Sequence, residues 1–487
     1  MKTAIIAPIH KGGSKLAAKL YRPVALTSHL IKIFEKIVKK RIVVFFEENN
    51  LFNNGQHGFR KGRSCLSQLL IHYEDLLNIV GRGKNADVIY LDFSKAFDKV
   101  DFNVLLQKLS RLGIGGVIYK WIEQFLTNRR QCVGVNGFIS AFVEVLSGVP
   151  QGSVLGPLLF LVMMEDIDDS VVHAIIKSFA DDTRAMMGIE SSTDMVNLQN
   201  DLNQIYSWAK ANNLQFNDLK FELMQYGDNE SVKDSHQYLS SSSVPIESSS
   251  IVKDLGIKMS DDCSFKTHID SVVDDAKSRA GWVLRTFKDR RPLTMLTLWK
   301  SMVLPKLEYC SQLWCPTKKG DILKLEDVQR CFVRKICFYD NGNINYWERL
   351  SELGLYSLQR RRERYRILYT WQIIENLVPN VCAIEGDGIQ TRLNERTGRT
   401  CVYAVNAFSR TRFQTLYDSS LTVHGSKLFN CLPKYLRNIS GCSINSFKHK
   451  LDNFLKDIPD QPVIPGYVGG NGALYGSNSL IDILPNL

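Results

Sequence analysis

Asp181 and Asp182 are adjacent carboxylates set between two apolar runs, Val171, Val172, Ala174, Ile175 and Ile176 before them and Ala185, Met186 and Met187 after. That pattern predicts strand, two-carboxylate turn, strand. Two like charges at a hairpin tip repel each other unless a cation stands between them and a substrate, and a divalent metal is the usual answer. Asp-Asp is also a good turn dipeptide, so on these residues alone both readings stay open. A third carboxylate, Asp92, closes the apolar run Val88-Ile89-Tyr90-Leu91. Two-metal phosphoryl transfer needs about three carboxylates converging on cations roughly 4 Å apart, and one strand end plus a neighbouring hairpin can supply them. Adjacent residues of an ideal strand point to opposite sides, so the turn must bend for both aspartates to face one site. Asp181 is read as the main ligand and Asp182 as the looser one.

Other residues invite two readings each. Gly152, in Pro150-Gln151-Gly152, can let backbone approach a ligand closely, and the Gln151 amide can donate and accept; the plain alternative is a turn before a buried helix. Phe97 reads first as a core aromatic. Lys11 lies in a Gly-rich basic turn, and Arg60, Lys61 and Arg63 in a polar loop, where such residues either bind phosphate or are merely solvated.

The elements that must hold these residues alternate between strand and helix. Ala4–Ile9 predicts a short strand. Ser28 can cap a helix running to about Glu48, with Leu30, Ile33, Phe34, Ile37 and Val38 at helical spacing and Glu35 and Lys39 on the outer face. Helices are expected at about 65–80, 101–112, 119–126 and 194–212, strands around the Asn136-Gly137 turn and at Phe221–Tyr226. The serines at 240–243 and 248–250 predict a flexible loop. From about 263 long helical segments carry Trp282, Trp299, Trp314, Trp347 and Trp371, and a run of arginines spans 360–366. The segment from 457, rich in Pro, Gly and Asn, predicts a flexible tail.

At 487 residues the chain calls for two or three domains. Its 61 basic against 50 acidic residues give a net charge of +11, which suits a polyanionic partner or simply a solvated basic surface. Eleven cysteines without a C-x2-C pair fit reduced thiols of an intracellular protein rather than a zinc site. No apolar run approaches the length of a membrane span, and the first residues do not read as a signal peptide.

Four ordered motifs carry a resemblance: Gln56-His57-Gly58-Phe59-Arg60-Lys61-Gly62-Arg63-Ser64, Leu91 to Asp98, Ser147 to Pro157, and Phe179-Ala180-Asp181-Asp182. Together they resemble the reverse transcriptase of a non-LTR retrotransposon of the jockey-like LINE kind, specifically over about 1–260 and more loosely to about 460. The resemblance implies an α+β right-hand polymerase with fingers, a palm with a small antiparallel sheet, a helical thumb, and a helical C-terminal region. The expected domains are 1–262 (fingers and palm), 263–340 (thumb-like), 341–456 (basic helical) and the tail 457–487. It implies an RNA-directed DNA polymerase that adds dNTPs to a primer 3′-hydroxyl, with two Mg²⁺ (or Mn²⁺) held by Asp92, Asp181 and Asp182. Its partners would be RNA template, DNA primer and their hybrid, with no membrane, and the nucleus as its compartment.

Further roles follow from the same resemblance. Phe97 would exclude a ribose 2′-hydroxyl. Pro150, Gln151, Gly152 and Phe179 would contact nucleotide and template. Lys11 and Arg22 would grip the triphosphate, with Arg60 and Arg63 on phosphates. Lys220 would protonate leaving pyrophosphate, and Leu255-Gly256-Ile257 would fall near the primer grip. Arg285, Lys288, Arg290, Arg291 and the 360–366 cluster would line a groove for the hybrid. The chain departs from the pattern at Met163-Met164-Glu165-Asp166, at Phe179 where many relatives carry Tyr, and at its start, where relatives continue upstream. The last point raises the alternative of an inactive truncated or co-opted copy that keeps the fold and binds nucleic acid.

Overall fold

The computed structural model describes residues 2–233, 237–336, 344–381, 388–405, 411–462 and 477–484. The chain is α+β, as expected, and divides into two compact units, one of residues 1–64 and 86–249, the other of 65–85 and 250–487. The expected thumb-like and C-terminal regions therefore fall in a single unit, together with the helix at 65–81.

In chain order the elements up to residue 226 are β1 (Thr3–His10), β2 (Tyr21–Leu26), α1 (His29–Glu48), α2 (Cys65–Gly81), β3 (Asn85–Leu91), α3 (Phe102–Arg111), α4 (Gly116–Leu126), β4 (Arg129–Val135), β5 (Phe138–Ile139), β6 (Val143–Val145), α5 (Gly156–Met163), β7 (Ile175–Phe179), β8 (Asp182–Ile189), α6 (Ser192–Ala211) and β9 (Glu222–Tyr226). Two sheets organise the first unit. One is a four-stranded sheet in the order β7-β8-β3-β9, with β7–β8 and β3–β9 antiparallel. The other runs β2-β1-β4-β5, with β1 parallel to β4 and β6 also on β4.

One apolar core joins the four-stranded sheet to the helices. Ile89, Ile176 and Ala185 from the strands pack with Leu105 and Leu109 of α3, Leu158 and Phe160 of α5, and Leu198 and Leu202 of α6. Helix α5 is buried on all sides, which is why its sequence is apolar without a polar stripe. Helix α6, expected at about 194–212, buries one face through Met195, Leu198, Leu202 and Ile205.

Helix α1 departs from its predicted faces, though Val38 packs against the core as expected. Leu30, Ile33, Phe34 and Ile37 are exposed, whereas Glu35 is fully buried. The Glu35 carboxylate accepts the Val154 and Leu155 amides at 2.6 and 2.8 Å, so it caps the start of α5 instead of pairing with Lys39 on a solvated face. The serine-rich stretch is likewise no loose loop. Ile246 N–H donates to Tyr238 at 2.9 Å and Ser240 N–H to Val244 at 2.8 Å, closing a tight turn over buried Tyr238 and Ile246.

The second unit is mostly helical. A short hairpin pairs Ile251–Asp254 with Ile257–Ser260 through Leu255 and Gly256, both at positive φ (44° and 90°), and a longer one pairs Gly388–Asn394 with Arg399–Val405. Trp299, Trp314 and Trp371 are core; Trp299 and Trp371 lie in helices as expected, whereas Trp314 stands in a bend between helices.

The arginine run forms no groove. In the helix Leu358–Ile374, Arg360, Arg362 and Arg366 are buried. Arg360 donates to the carbonyls of Ile458, Pro459 and Asn478, and Arg366 to those of Gln312 and Ser419. Arg361 pairs with Glu308 and Arg364 with Asp452. Arg360, Arg361, Arg364 and Arg366 are thus engaged with carbonyls and carboxylates of their own unit, and Arg362 is buried, so none of the five faces an open groove for phosphates. The described parts of the expected tail are packed too: Asp460 accepts from Ser357, and Leu480 is fully buried. Residues 463–476 of that tail, with Cys337 and Cys382, lie outside the described residues. No disulfide joins two of the described cysteines, and no described helix is long and apolar enough to cross a membrane.

Candidate active site

The β7–β8 hairpin closes with Phe179 opposite Asp182, which leaves Ala180 and Asp181 as its two loop residues. Ala180 adopts φ +59°, a conformation such turns usually assign to glycine. This is the bend that the two adjacent carboxylates require. Asp92 follows β3, the strand next to β8 in the sheet, so three acidic side chains come from neighbouring strand ends. The Asp92 carbonyl accepts the Asn217 amide at 2.8 Å, and Ser94 N–H donates to Gln215 at 2.8 Å, tying this strand end to the segment that leads to Lys220.

The three carboxylates stand close enough for the charges of neighbours to act on Asp181 and Asp182. Burial raises the Asp181 pKa above the ordinary carboxylate value, and the charges of Asp182 and Asp92 push it the same way, while Arg22 opposes them. The Asp182 pKa is raised too, first by partial desolvation and then by repulsion from Asp92, against Arg184 and Lys220. Lys220 Nζ stands 3.0 Å from Asp92 Oδ2.

These residues line a cavity of about 920 Å³ within the first unit. Lys11, Arg22, Phe97 and Phe179 line it, as do Pro150, Gln151 and Gly152. Arg60 and Arg63 do not. Arg60 donates to the Asn53 carbonyl and Arg63 to that of Asn54, each at 2.5 Å, so their guanidiniums brace their own loop.

The loop before α5 is fastened to the turn that carries Phe97. Val149 N–H donates to the Phe97 carbonyl at 2.9 Å and Gly148 N–H to that of Val100 at 2.8 Å. The Gln151 amide donates to Asp98 Oδ1 at 2.8 Å. Gly152 sits at φ +101°, where a Cβ would lie 3.0 Å from the Ala25 carbonyl, so the close approach it permits is to strand β2. Phe97 stacks on buried Phe160 and meets Phe59 edge-on at 6.1 Å.

Phe59, Lys95 and Asp98 also line the cavity, and sequence reasoning passed over all three. All three stand inside the motifs that carry the resemblance. Phe59 is an exposed aromatic in a polar loop, a signal that was readable; Asp98 has no signal before its partner is known.

Among the described residues, no three His, Cys, Asp or Glu side chains stand as a ready metal cluster. The donor set still suits a hard divalent cation: three carboxylates line one cavity, and their mutual repulsion leaves negative charge for a cation to satisfy.

A sequence model of the family described as reverse transcriptase (RNA-dependent DNA polymerase) matches residues 9–259, more than half of the chain. The chain is 26% identical to the probable RNA-directed DNA polymerase from transposon X-element of Drosophila melanogaster, over 69% of this chain and 37% of that protein. It is 27% identical to the RNA-directed DNA polymerase from mobile element jockey of the same species, over 69% and 37%. The chain thus spans well under half the length of these curated relatives. Among solved structures it is similar to apo telomerase from Candida tropicalis, at 10% identity and a TM-score of 0.43, over 77% of this chain and 62% of that one. With its motifs in order inside the matched span, the chain belongs to the reverse transcriptase (RNA-dependent DNA polymerase) family.

Proposed function

We propose that this chain carries the polymerising centre of a mobile-element reverse transcriptase, adding deoxynucleotides to a primer 3′-hydroxyl on an RNA template. One observation carries the reading: Asp92, Asp181 and Asp182 line the same cavity as Lys11 and Arg22, so carboxylates and cations face a single space. That charge pattern suits a polyphosphate held by side-chain cations at one end, with carboxylates at the other that would hold divalent cations.

Asp92, Asp181 and Asp182 would hold two Mg²⁺, with Mn²⁺ able to substitute; when bound, these ions supply activation of the attacking hydroxyl and neutralisation of the triphosphate. Arg22 binds phosphate as a fork and Lys11 as a point charge. Phe97 sets the floor under the sugar and excludes a 2′-hydroxyl by its volume. Gln151, with Pro150 and Gly152, and Phe179 orient the nucleotide against the template base. Lys220 Nζ carries the proton that the leaving pyrophosphate takes up. The nucleic-acid partners are the RNA template, the DNA primer and the hybrid they form, and the compartment is the nucleus.

Extension of a labelled primer on an RNA template, with Mg²⁺ and after its chelation, tests the reading. Mg²⁺-dependent extension is expected. RNA binding without extension would favour the alternative of an inactive copy that keeps the fold.

A further inference from the structure

Gln56 lies in the polar loop whose arginines turn away from the cavity, and its side chain is buried. Its Oε1 accepts the Ala180 N–H at 2.7 Å, and its Nε2 donates to the Ala180 carbonyl at 3.1 Å. Both polar groups of the one loop residue held at positive φ are therefore bound by a single side chain. Oε1 also accepts the Gly58 N–H at 2.8 Å, which fixes the amide's orientation.

The backbone around Gln56 runs beside β7. His57 N–H donates to the Ser178 carbonyl at 2.8 Å, and Ser178 N–H to that of Gly55 at 3.0 Å. Glycine is needed on either side: a Cβ at Gly55 would lie 2.6 Å from the Ile176 carbonyl, and one at Gly58 would lie 2.5 Å from the Ala180 nitrogen. Arg60 and Arg63 grip the carbonyls of Asn53 and Asn54 from the far side.

We infer that Gln56 is a positioning residue for Asp181 and Asp182, clamping the Ala180 peptide so that the strained turn aims both carboxylates into the cavity. A non-glycine residue at positive φ costs of order 1 kcal/mol or more unless its surroundings fix it, and two hydrogen bonds to its own N–H and C=O are such a restraint. The proposal rests on the polymerase reading for its consequence, and on the hydrogen bonds alone for its geometry.

Gln56→Met keeps the volume and removes all three side-chain bonds, the two to Ala180 and the one from Gly58; Gln56→Glu keeps the acceptor and loses the donor. Two readouts separate the clamp from general stability. Hydrogen–deuterium exchange of peptides spanning 177–184 is expected to show a protected Ala180 amide in the parent and at least tenfold faster exchange in Gln56→Met. Mn²⁺ affinity, followed by electron paramagnetic resonance, is expected to weaken roughly tenfold in Gln56→Met, the worth of about two hydrogen bonds. Adding Ala180→Gly, which takes positive φ without strain, should restore part of that affinity. An Ala180 amide that exchanges freely in the parent overturns the clamp even if no variant folds. So does a Gln56→Met protein with parental exchange and parental Mn²⁺ affinity. A parent with a protected amide that neither binds Mn²⁺ nor extends primers would sink the polymerase reading and leave the clamp standing.

Discussion

Phe97 lies flat on Phe160, with ring centroids 4.2 Å and planes 13° apart. Phe160 is fully buried in α5, so the stack ties the Phe97 ring to the core and denies it other rotamers. An aromatic fixed in this way can reject one extra oxygen; a mobile one would yield to it. Phe97→Val should therefore raise acceptance of ribonucleotides relative to deoxynucleotides by about 1.4–2.7 kcal/mol, tenfold to a hundredfold. The ratio of kcat/KM for the two sugars measures this, and an unchanged ratio would return Phe97 to a packing role.

The bond from Gln151 to Asp98 makes a second prediction. The Asp98 carboxylate takes one Gln151 N–H and thereby turns the amide, while the loop itself is held by backbone bonds from Gly148 and Val149 that do not need Asp98. Asp98→Ala should raise KM for dNTP about tenfold, roughly one charged hydrogen bond, and leave kcat less affected. Parental KM in the variant would show that Gln151 is oriented without Asp98.

A third prediction concerns stability of the second unit. Glu74 is buried in α2 and accepts from the Thr422 hydroxyl and amide at 2.5 and 3.3 Å. Burial raises its pKa from the ordinary 4.5 to about 7, against the lowering effect of those hydrogen bonds. Folded protein thus holds a proton between about pH 4.5 and 7 that unfolded protein has released. The stabilising contribution is complete below about 4.5 and lost as pH rises to about 7, at up to about 1.4 kcal/mol per pH unit. Glu74→Gln should flatten that slope in thermal melts between pH 5 and 8, and an unaltered slope would rule Glu74 out as its source.

Much of the first unit was legible in the sequence because its signals are local. Strand ends at Leu91 and Phe179 are marked by apolar runs followed by carboxylates within a few residues. Glu35 was misread because its partners, the Val154 and Leu155 amides, are distant in sequence and a glutamate on a charged helix looks solvated. The arginines at 360–366 were misread for the same reason: a basic run and a set of buried carbonyl-binding guanidiniums have identical composition. Gln56 stood in a quoted motif, yet its role depends on the backbone of Ala180, which no residue-by-residue reading exposes.

Asp181→Asn bears most directly on the site. The substitution keeps shape and removes one of the charges that the cavity concentrates around Asp92 and Asp182. Primer extension on an RNA template in Mg²⁺, with RNA binding measured on the same preparations, is the experiment. The parent should extend the primer, and Asp181→Asn should lose at least about 10³-fold in rate, several kcal/mol of metal-dependent stabilisation, while binding RNA as the parent does. Extension by Asp181→Asn at the parental rate would contradict the assignment of these carboxylates as the catalytic metal site.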